Sequence, residues 1–161
     1  MLKIASAALQ EMIEHCRRDD PNEACGYLAG RDGVATNAVA LTNVHASPSS
    51  YEMDPKEQLQ AQRRLRETGL REMAIYHSHV ATEAYPSRRD IDRATAVQDF
   101  FDGHYVLVTL KEAGRPRARA FRIQDGAVSE EEIHEVMSEG RHPRGSEDQK
   151  KDSRIRGNDT K

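Results

Sequence analysis

The chain has no tryptophan, and aromatic residues occupy only 5% of its 161 positions. Hydrophobic residues nevertheless make up 37% of the sequence, which suits the core of one compact domain, in a chain too short for two. The two cysteines, Cys16 and Cys25, form neither a disulfide framework nor a CxxC pair. Reduced thiols in a cytoplasmic protein are therefore the expectation.

Long apolar runs are also missing. No stretch approaches the roughly 20 residues that span a bilayer, and the beginning of the chain lacks the order of a signal peptide. The formal net charge is −3, yet residues 141–161 carry seven Lys/Arg against four Asp/Glu, which leaves −6 for residues 1–140. An acidic body argues against nucleic acid as a partner, because binding phosphate needs a basic face.

Composition divides the chain after residue 138. Beyond that point the sequence is polar, and residues 141–161 contain one strongly apolar residue, Ile155. Such a segment cannot bury enough surface to offset the entropy lost on ordering. We therefore expect a folded domain over residues 1–138 and a disordered tail over residues 139–161.

Hydrophobic periodicity predicts three helices and at least five strands in the domain. The first helix has Ser6 as a possible cap, and the second has Leu59 and Leu65 facing inward and Gly69 at its end. Residues 127–137 fit either a strand with a short helix or a single helix. The helices are predicted at 5–19, 56–69 and 87–100, and the strands at 24–30, 33–44, 71–79, 104–110 and 115–123.

Two histidines end the strand at 71–79. In an extended chain, side chains two positions apart share a face, with Cα atoms about 6.5–7 Å apart, so His77 and His79 point the same way. Ser87 then begins a helix that has Asp90 in its first turn. Two histidines, a carboxylate and a water are typical of a catalytic zinc site, which keeps one position open.

This pattern has a simpler interpretation. The Ser87-x-x-Asp90 spacing is also a capping-box signal, and an isolated HxH carries little information. The joint pattern H-x-H-x7-S-x2-D is far more demanding than either part.

Glu23 lies directly ahead of the first predicted strand. There it could approach the metal without binding it, although a lone acid at such a position is commonly solvated.

Taken together, the glutamate before a CGxLxG-type strand and the HSH-x7-S-x2-D segment resemble the JAMM (MPN-plus) zinc metallopeptidases, in their compact prokaryotic form. The resemblance covers about residues 1–138 and implies an α/β fold of the cytidine-deaminase-like kind, a curved, mainly antiparallel sheet flanked by helices. It implies one zinc ion per chain, bound by His77, His79 and Asp90. Members commonly have proline after HSH, where this chain has Val80.

The same resemblance implies a mechanism and a substrate. Zinc would activate a water, Glu23 would move its proton to the departing amine, and Ser87 would support the carbonyl oxygen; a capping role alone is the alternative for Ser87. The family acts on C-terminal tails of ubiquitin-like proteins, and some compact members act on sulfur-carrier proteins. A ubiquitin-like or sulfur-carrier protein is therefore the predicted substrate and partner.

Several alternatives stay open. Cys25 could be a nucleophile, although a small buried residue is the simpler interpretation, and His45 could line the site or face solvent. A non-catalytic scaffold or interaction module is the alternative function, although scaffold subunits that share this fold usually lack a metal ligand. A base deaminase would need H-x-E with P-C-x-x-C, which is absent. Six arginines on the second and third helices could attract an acidic partner or be solvated: Arg63, Arg64, Arg66, Arg88, Arg89 and Arg93.

Overall fold

The computed structural model describes residues 1–112 and 114–137; the predicted tail at 139–161 lies outside them. In chain order the elements are β1 (Leu2–Ala5), α1 (Ser6–Asp19), β2 (Cys25–Arg31), β3 (Val34–Leu41), α2 (Pro55–Glu67), β4 (Arg71–His79), α3 (Arg88–Val97), β5 (His104–Thr109), β6 (Arg117–Gln124), β7 (Ala127–Glu131) and β8 (Ile133–Val136). None of these helices is long and apolar enough to cross a membrane.

The described strands form one mixed sheet in the order β7-β6-β5-β4-β2-β3-β1-β8. Antiparallel pairings outnumber parallel ones by four to three. The outermost strands, β7 and β8, are separated in sequence only by Glu132. A single residue cannot bridge the width of a flat sheet, so the sheet curves until its two edges approach each other. The architecture confirms the predicted α/β class with a curved sheet.

Apolar side chains cover both faces of the central strands. On one face α1 contributes Met12 and Cys16 to a core that includes Tyr76 of β4 and Val106 of β5. On the other face a second cluster lies beneath α2 and includes Cys25, Tyr27, Leu41, Tyr51, Met53 and Ala61. Because β4 lies between β2 and β5 within this packed sheet, its last residues are held rigidly.

Two predicted details of the helices are wrong. Leu59 is 54% exposed, whereas Leu65 is 6% exposed and packs inward; residues six apart on a helix lie about 120° apart around its axis, and Ala61, one turn before Leu65, takes the inward position. Ser6 does not cap α1. The helix begins at Ser6 after Ala5, and the Ser6 hydroxyl donates to the Val136 carbonyl instead.

Residues 127–137 contain the strand of the first predicted alternative, but the helix in each alternative is wrong. The segment forms β7, which pairs antiparallel with β6, and β8, which pairs parallel with β1. Strand β1 was not predicted, because its four residues gain their pairing partners from β3 and β8, far along the chain. The long-range pairing overrides the helical preference of the Glu-rich segment.

Candidate metal centre

The site forms where β4 ends and α3 begins. His77 and His79 are the last side chains of β4 on one face, and Asp90 is the third residue of α3. Strand β2 pairs with β4 so that Cys25 lies opposite His77, which brings Glu23, two residues earlier, to the same end of the sheet. The structure thus brings together all four residues that the sequence pattern indicated as ligands and acid.

Three of these side chains converge on one point. The Nε2 atoms of His77 and His79 are 3.2 Å apart, and Oδ2 of Asp90 lies 3.2 Å from the first and 3.1 Å from the second. In a tetrahedral zinc site with bonds of about 2.0–2.1 Å, neighbouring ligand atoms are about 3.3–3.4 Å apart. The near-equilateral triangle therefore fits a tetrahedral metal ion, with the fourth position open.

Asp90 is oriented by the start of its own helix. Its Oδ2 accepts the backbone N–H of Ser87 at 2.8 Å, and its backbone N–H donates to Oγ of Ser87 at 3.1 Å, which completes a capping box. Burial alone would raise the pKa of Asp90, but hydrogen bonds with His77 and His79 hold that pKa well below its ordinary value. The carboxylate is therefore ionised, as a metal ligand must be.

His79 is oriented from behind by the loop that follows it. Its Nδ1 faces the carbonyl oxygen of Glu83 at 2.8 Å, which leaves Nε2 free to bind a metal, the usual arrangement for a metal-binding histidine. Thr109 donates to the neighbouring Thr82 carbonyl at 2.6 Å, and Lys111 pairs with the Glu83 carboxylate at 3.0 Å. These contacts anchor the loop that begins at Val80.

His77 is held differently. The side chain is 1% exposed, and its ring stacks on Tyr51, with centroids 4.5 Å apart and an angle of 26° between the planes. Its Nδ1 is buried without a hydrogen-bond partner among residues 1–112 and 114–137. Burial lowers the pKa of His77, which favours the neutral imidazole that metals bind.

Glu23 lies beside the triangle and is 3% exposed. One of its carboxylate oxygens and one ring nitrogen each of His77 and His79 all lie within 4.8 Å of one another. Burial raises the pKa of Glu23 to about 7, partly opposed by the nearby His79. A carboxyl group that titrates near neutrality can both accept and return a proton at physiological pH.

Two residues that sequence reasoning missed hold Glu23 in place. Asn43 donates from its amide to the Glu23 carbonyl at 3.0 Å, and its carbonyl oxygen accepts from the backbone of the loop that carries Tyr51, at Glu52. Ser78, between the two histidines, accepts the Ala24 backbone N–H at 2.8 Å. For Asn43, the signal available in the sequence was an asparagine shortly ahead of a Ser/Pro-rich loop.

Other candidate residues play no direct part in the cluster. Cys25 is fully buried, and burial raises the pKa of its thiol to about 12, so it is not a nucleophile at neutral pH. His45 is an exposed loop residue that pairs with Ser50 and Glu52. Of the six arginines, Arg93 contacts Tyr51 beside the cluster: it donates to the Tyr51 carbonyl and packs over that ring.

A curved mixed sheet that presents two histidines and an aspartate beside a buried glutamate agrees with what the resemblance to JAMM hydrolases implies. The family model described as prokaryotic homologues of the JAB domain matches residues 5–124. The chain belongs to this family and is an enzyme of its hydrolase class.

Individual relatives agree with that assignment. The chain is 43% identical over 138 residues to the CysO-cysteine peptidase of Mycobacterium tuberculosis, covering 84% of this chain and 92% of that protein. It is 41% identical over 95 residues to a probable TtuB-protein conjugate cleaving protease of Thermus thermophilus, covering 58% and 64%. A solution structure from Desulfitobacterium hafniense superposes with a TM-score of 0.71 at 34% identity, covering 87% and 94%.

Proposed function

We propose that this protein is a zinc-dependent peptidase that hydrolyses an amide at the C-terminal tail of a ubiquitin-like or sulfur-carrier protein. The observation that carries the proposal is the triangle formed by Nε2 of His77, Nε2 of His79 and Oδ2 of Asp90. In this proposal those three atoms bind one zinc ion. Glu23 is buried, and one of its carboxylate oxygens lies within 4.8 Å of a ring nitrogen of each histidine; in this proposal it transfers protons and does not bind the metal.

A bound zinc ion would supply Lewis acidity toward water and toward the amide carbonyl. Glu23 takes the proton of the attacking water and returns it to the nitrogen of the departing amine. Burial, which raises the pKa of Glu23, helps this carboxyl group to hold the proton between the two transfers. Ser87 supports the oxygen that becomes negative as the tetrahedral intermediate forms, because its hydroxyl hydrogen is not used in the capping box.

The surroundings of the site suit a folded protein substrate. Phe100 is 90% exposed and Val97 is 36% exposed at the end of α3, and both line a groove of about 450 Å³ that reaches Tyr51. An exposed apolar patch beside a catalytic centre is typical of a protein-binding surface. The relatives named for CysO-cysteine and for TtuB conjugates support a small carrier protein as the molecule bound there.

A cytoplasmic location accompanies this proposal. Cys16 and Cys25 are both free and buried, as is common for proteins of reducing compartments.

The direct test is hydrolysis of a defined conjugate. Purified zinc-loaded protein is incubated with a sulfur-carrier protein whose C-terminal glycine bears cysteine in amide linkage, and intact masses are recorded. Loss of the cysteine mass, with no change for the His77→Ala variant, is the expected result. A conjugate that stays intact after prolonged incubation with a protein shown to contain zinc would contradict the proposed substrate, and a protein that takes up no zinc would contradict the proposed mechanism.

A further inference from the structure

The two histidines of the site are held in unequal ways. His79 has the Glu83 carbonyl behind its Nδ1 at 2.8 Å. The corresponding Nδ1 of His77 is buried and has no partner in the described part of the chain. A hydrogen bond at the far nitrogen normally fixes both the tautomer and the ring orientation of a metal-binding histidine, so something else must fix the ring of His77.

Tyr51 occupies the position needed for that task. Its ring is nearly parallel to the His77 imidazole, with centroids 4.5 Å apart and 26° between the planes. Both side chains are buried, Tyr51 being 7% exposed and His77 1% exposed. Rotation of the imidazole about its Cβ–Cγ bond would drive its edge into the tyrosine face, and interiors packed at crystal-like density leave no room for this.

Arg93 contacts Tyr51 in two ways. Its guanidinium carbon lies 4.8 Å from the centroid of the Tyr51 ring, within the range of a cation–π contact. The same guanidinium donates to the backbone carbonyl of Tyr51. Because Arg93 lies on α3 three residues after Asp90, it couples the loop that carries Tyr51 to the helix that carries the aspartate.

We infer that Tyr51, supported by Arg93, is a positioning residue that fixes the His77 imidazole for metal binding in place of the missing Nδ1 hydrogen bond. The inference rests on the proposed function, because it assigns Tyr51 a part in the proposed metal site. Tyr51 does not bind the metal. It acts through the His77 ring, so its removal changes metal affinity and ligand geometry.

The test measures zinc affinity by competition with a chromophoric chelator, and ligand geometry by the visible spectrum of the cobalt(II)-substituted protein. Tyr51→Phe retains the ring and should match the wild type in both. Tyr51→Leu retains an apolar side chain without the stacked ring. It should weaken zinc binding by about 10-fold to 100-fold, the range observed when residues that orient metal ligands are removed, and it should alter the cobalt spectrum.

Tyr27→Leu is the matched control. Tyr27 is 2% exposed and belongs to the same apolar cluster as Tyr51, but its ring is not stacked on His77. Its replacement should lower thermal stability and leave zinc affinity unchanged. Equal weakening of zinc binding by Tyr27→Leu and Tyr51→Leu would overturn the inference, because general loss of packing would then explain both.

The remaining outcomes are equally decisive. Tyr51→Leu protein that binds zinc within twofold of the wild type, with an unchanged cobalt spectrum, overturns this inference alone. If Tyr51→Leu does not fold, Arg93→Gln decides: weakened zinc binding with an altered spectrum supports the inference, and wild-type values overturn it. A wild-type protein that binds no zinc overturns the proposed function and this inference with it.

Discussion

Ser87 and Asp90 form two hydrogen bonds with each other, one from the Ser87 backbone N–H to Oδ2 of Asp90 at 2.8 Å and one from the Asp90 backbone N–H to Oγ of Ser87 at 3.1 Å. The second bond uses a lone pair of the serine oxygen and leaves the hydroxyl hydrogen available. Capping α3 and supporting the carbonyl oxygen of a substrate are therefore compatible roles for the same side chain.

Replacing Ser87 by alanine separates these roles. The lost cap should lower the free energy of unfolding by about 1 kcal/mol, and the lost hydroxyl donor should reduce turnover by about 10²–10³-fold. Asp54 caps α2 by accepting from two backbone N–H groups, so Asp54→Ala is a matched control with a similar loss of stability and normal turnover. Equal turnover in both variants, measured on the conjugate, would leave Ser87 with the cap alone.

Glu23 provides a second test of the chemistry. Glutamine has nearly the same shape but cannot accept a proton, so Glu23→Gln should bind one zinc ion and lose at least about 10²-fold in turnover. The nearby Glu52 is exposed and pairs with His45, and Glu52→Gln should behave as the wild type. Metal content and turnover are measured on the same samples. Wild-type turnover in Glu23→Gln would remove the acid–base role from this residue.

The loop that follows His79 should affect zinc affinity, because its carbonyl groups orient the His79 ring. Thr109 fixes the Thr82 carbonyl at 2.6 Å, next to the Glu83 carbonyl that faces Nδ1 of His79. Thr109→Val removes this anchor at nearly constant volume, and zinc affinity should fall by about tenfold. Thr95→Val, which removes a comparable bond from Thr95 to the Ile91 carbonyl, should retain normal affinity. Unchanged chelator competition for Thr109→Val would show that the loop does not depend on this bond.

Local patterns in the sequence predicted the core of the site well. The strand predicted at 71–79 coincides with β4, Arg71–His79, because a short apolar run at 73–76 follows the helix-ending Gly69. The helix that brings Asp90 back toward the strand has Ser87 as its N-cap, as the Ser-x-x-Asp spacing indicated. Each of these features depends on residues that are close in sequence.

Features that depend on distant partners were not predictable in the same way. Strand β1 exists through its pairing with β3 and β8, and β8 lies more than 120 residues away along the chain. Tyr51 lies in a loop without hydrophobic periodicity, and Asn43 lies at the end of the strand predicted at 33–44, beyond the observed end of β3 at Leu41. Neither side chain titrates near neutral pH, so neither attracts a functional interpretation. Their roles follow only from contacts with His77 and Glu23.

The exposed patch at the end of α3 predicts how the enzyme distinguishes proteins from peptides. Phe100→Ser should raise KM for the carrier conjugate by roughly tenfold or more, because exposed aromatic residues commonly dominate binding surfaces. Hydrolysis of a short peptide with the same C-terminal linkage should be unchanged, since the catalytic groups are untouched. Met137→Ser, which alters a residue 74% exposed after β8, is the control. If Phe100→Ser lost activity equally on the conjugate and on the short peptide, misfolding rather than weaker substrate binding would explain the loss.

His15 predicts a pH dependence of stability that is separate from catalysis. Its Nδ1 lies 2.6 Å from the Tyr76 hydroxyl and its Nε2 lies 3.1 Å from Asp19. Burial lowers the pKa of His15 below 6.5, with Asp19 partly opposing the shift. The unfolded chain therefore binds a proton that the folded protein resists, and the free energy of unfolding should fall as the pH is lowered from about 6.5 toward the folded-state pKa.

One such proton changes the free energy of unfolding by at most about 1.4 kcal/mol per pH unit. His15→Gln retains an amide that can bond the Tyr76 hydroxyl and cannot titrate, so its stability should decline less on acidification than that of the wild type. His45→Gln, at an exposed loop position, should follow the wild-type curve. Denaturant unfolding of zinc-loaded protein between pH 5 and pH 7.5 measures the difference, and zinc loss at low pH affects all three proteins alike. Parallel curves for His15→Gln and the wild type would mean that the buried imidazole accepts its proton as readily in the folded protein as in the unfolded chain.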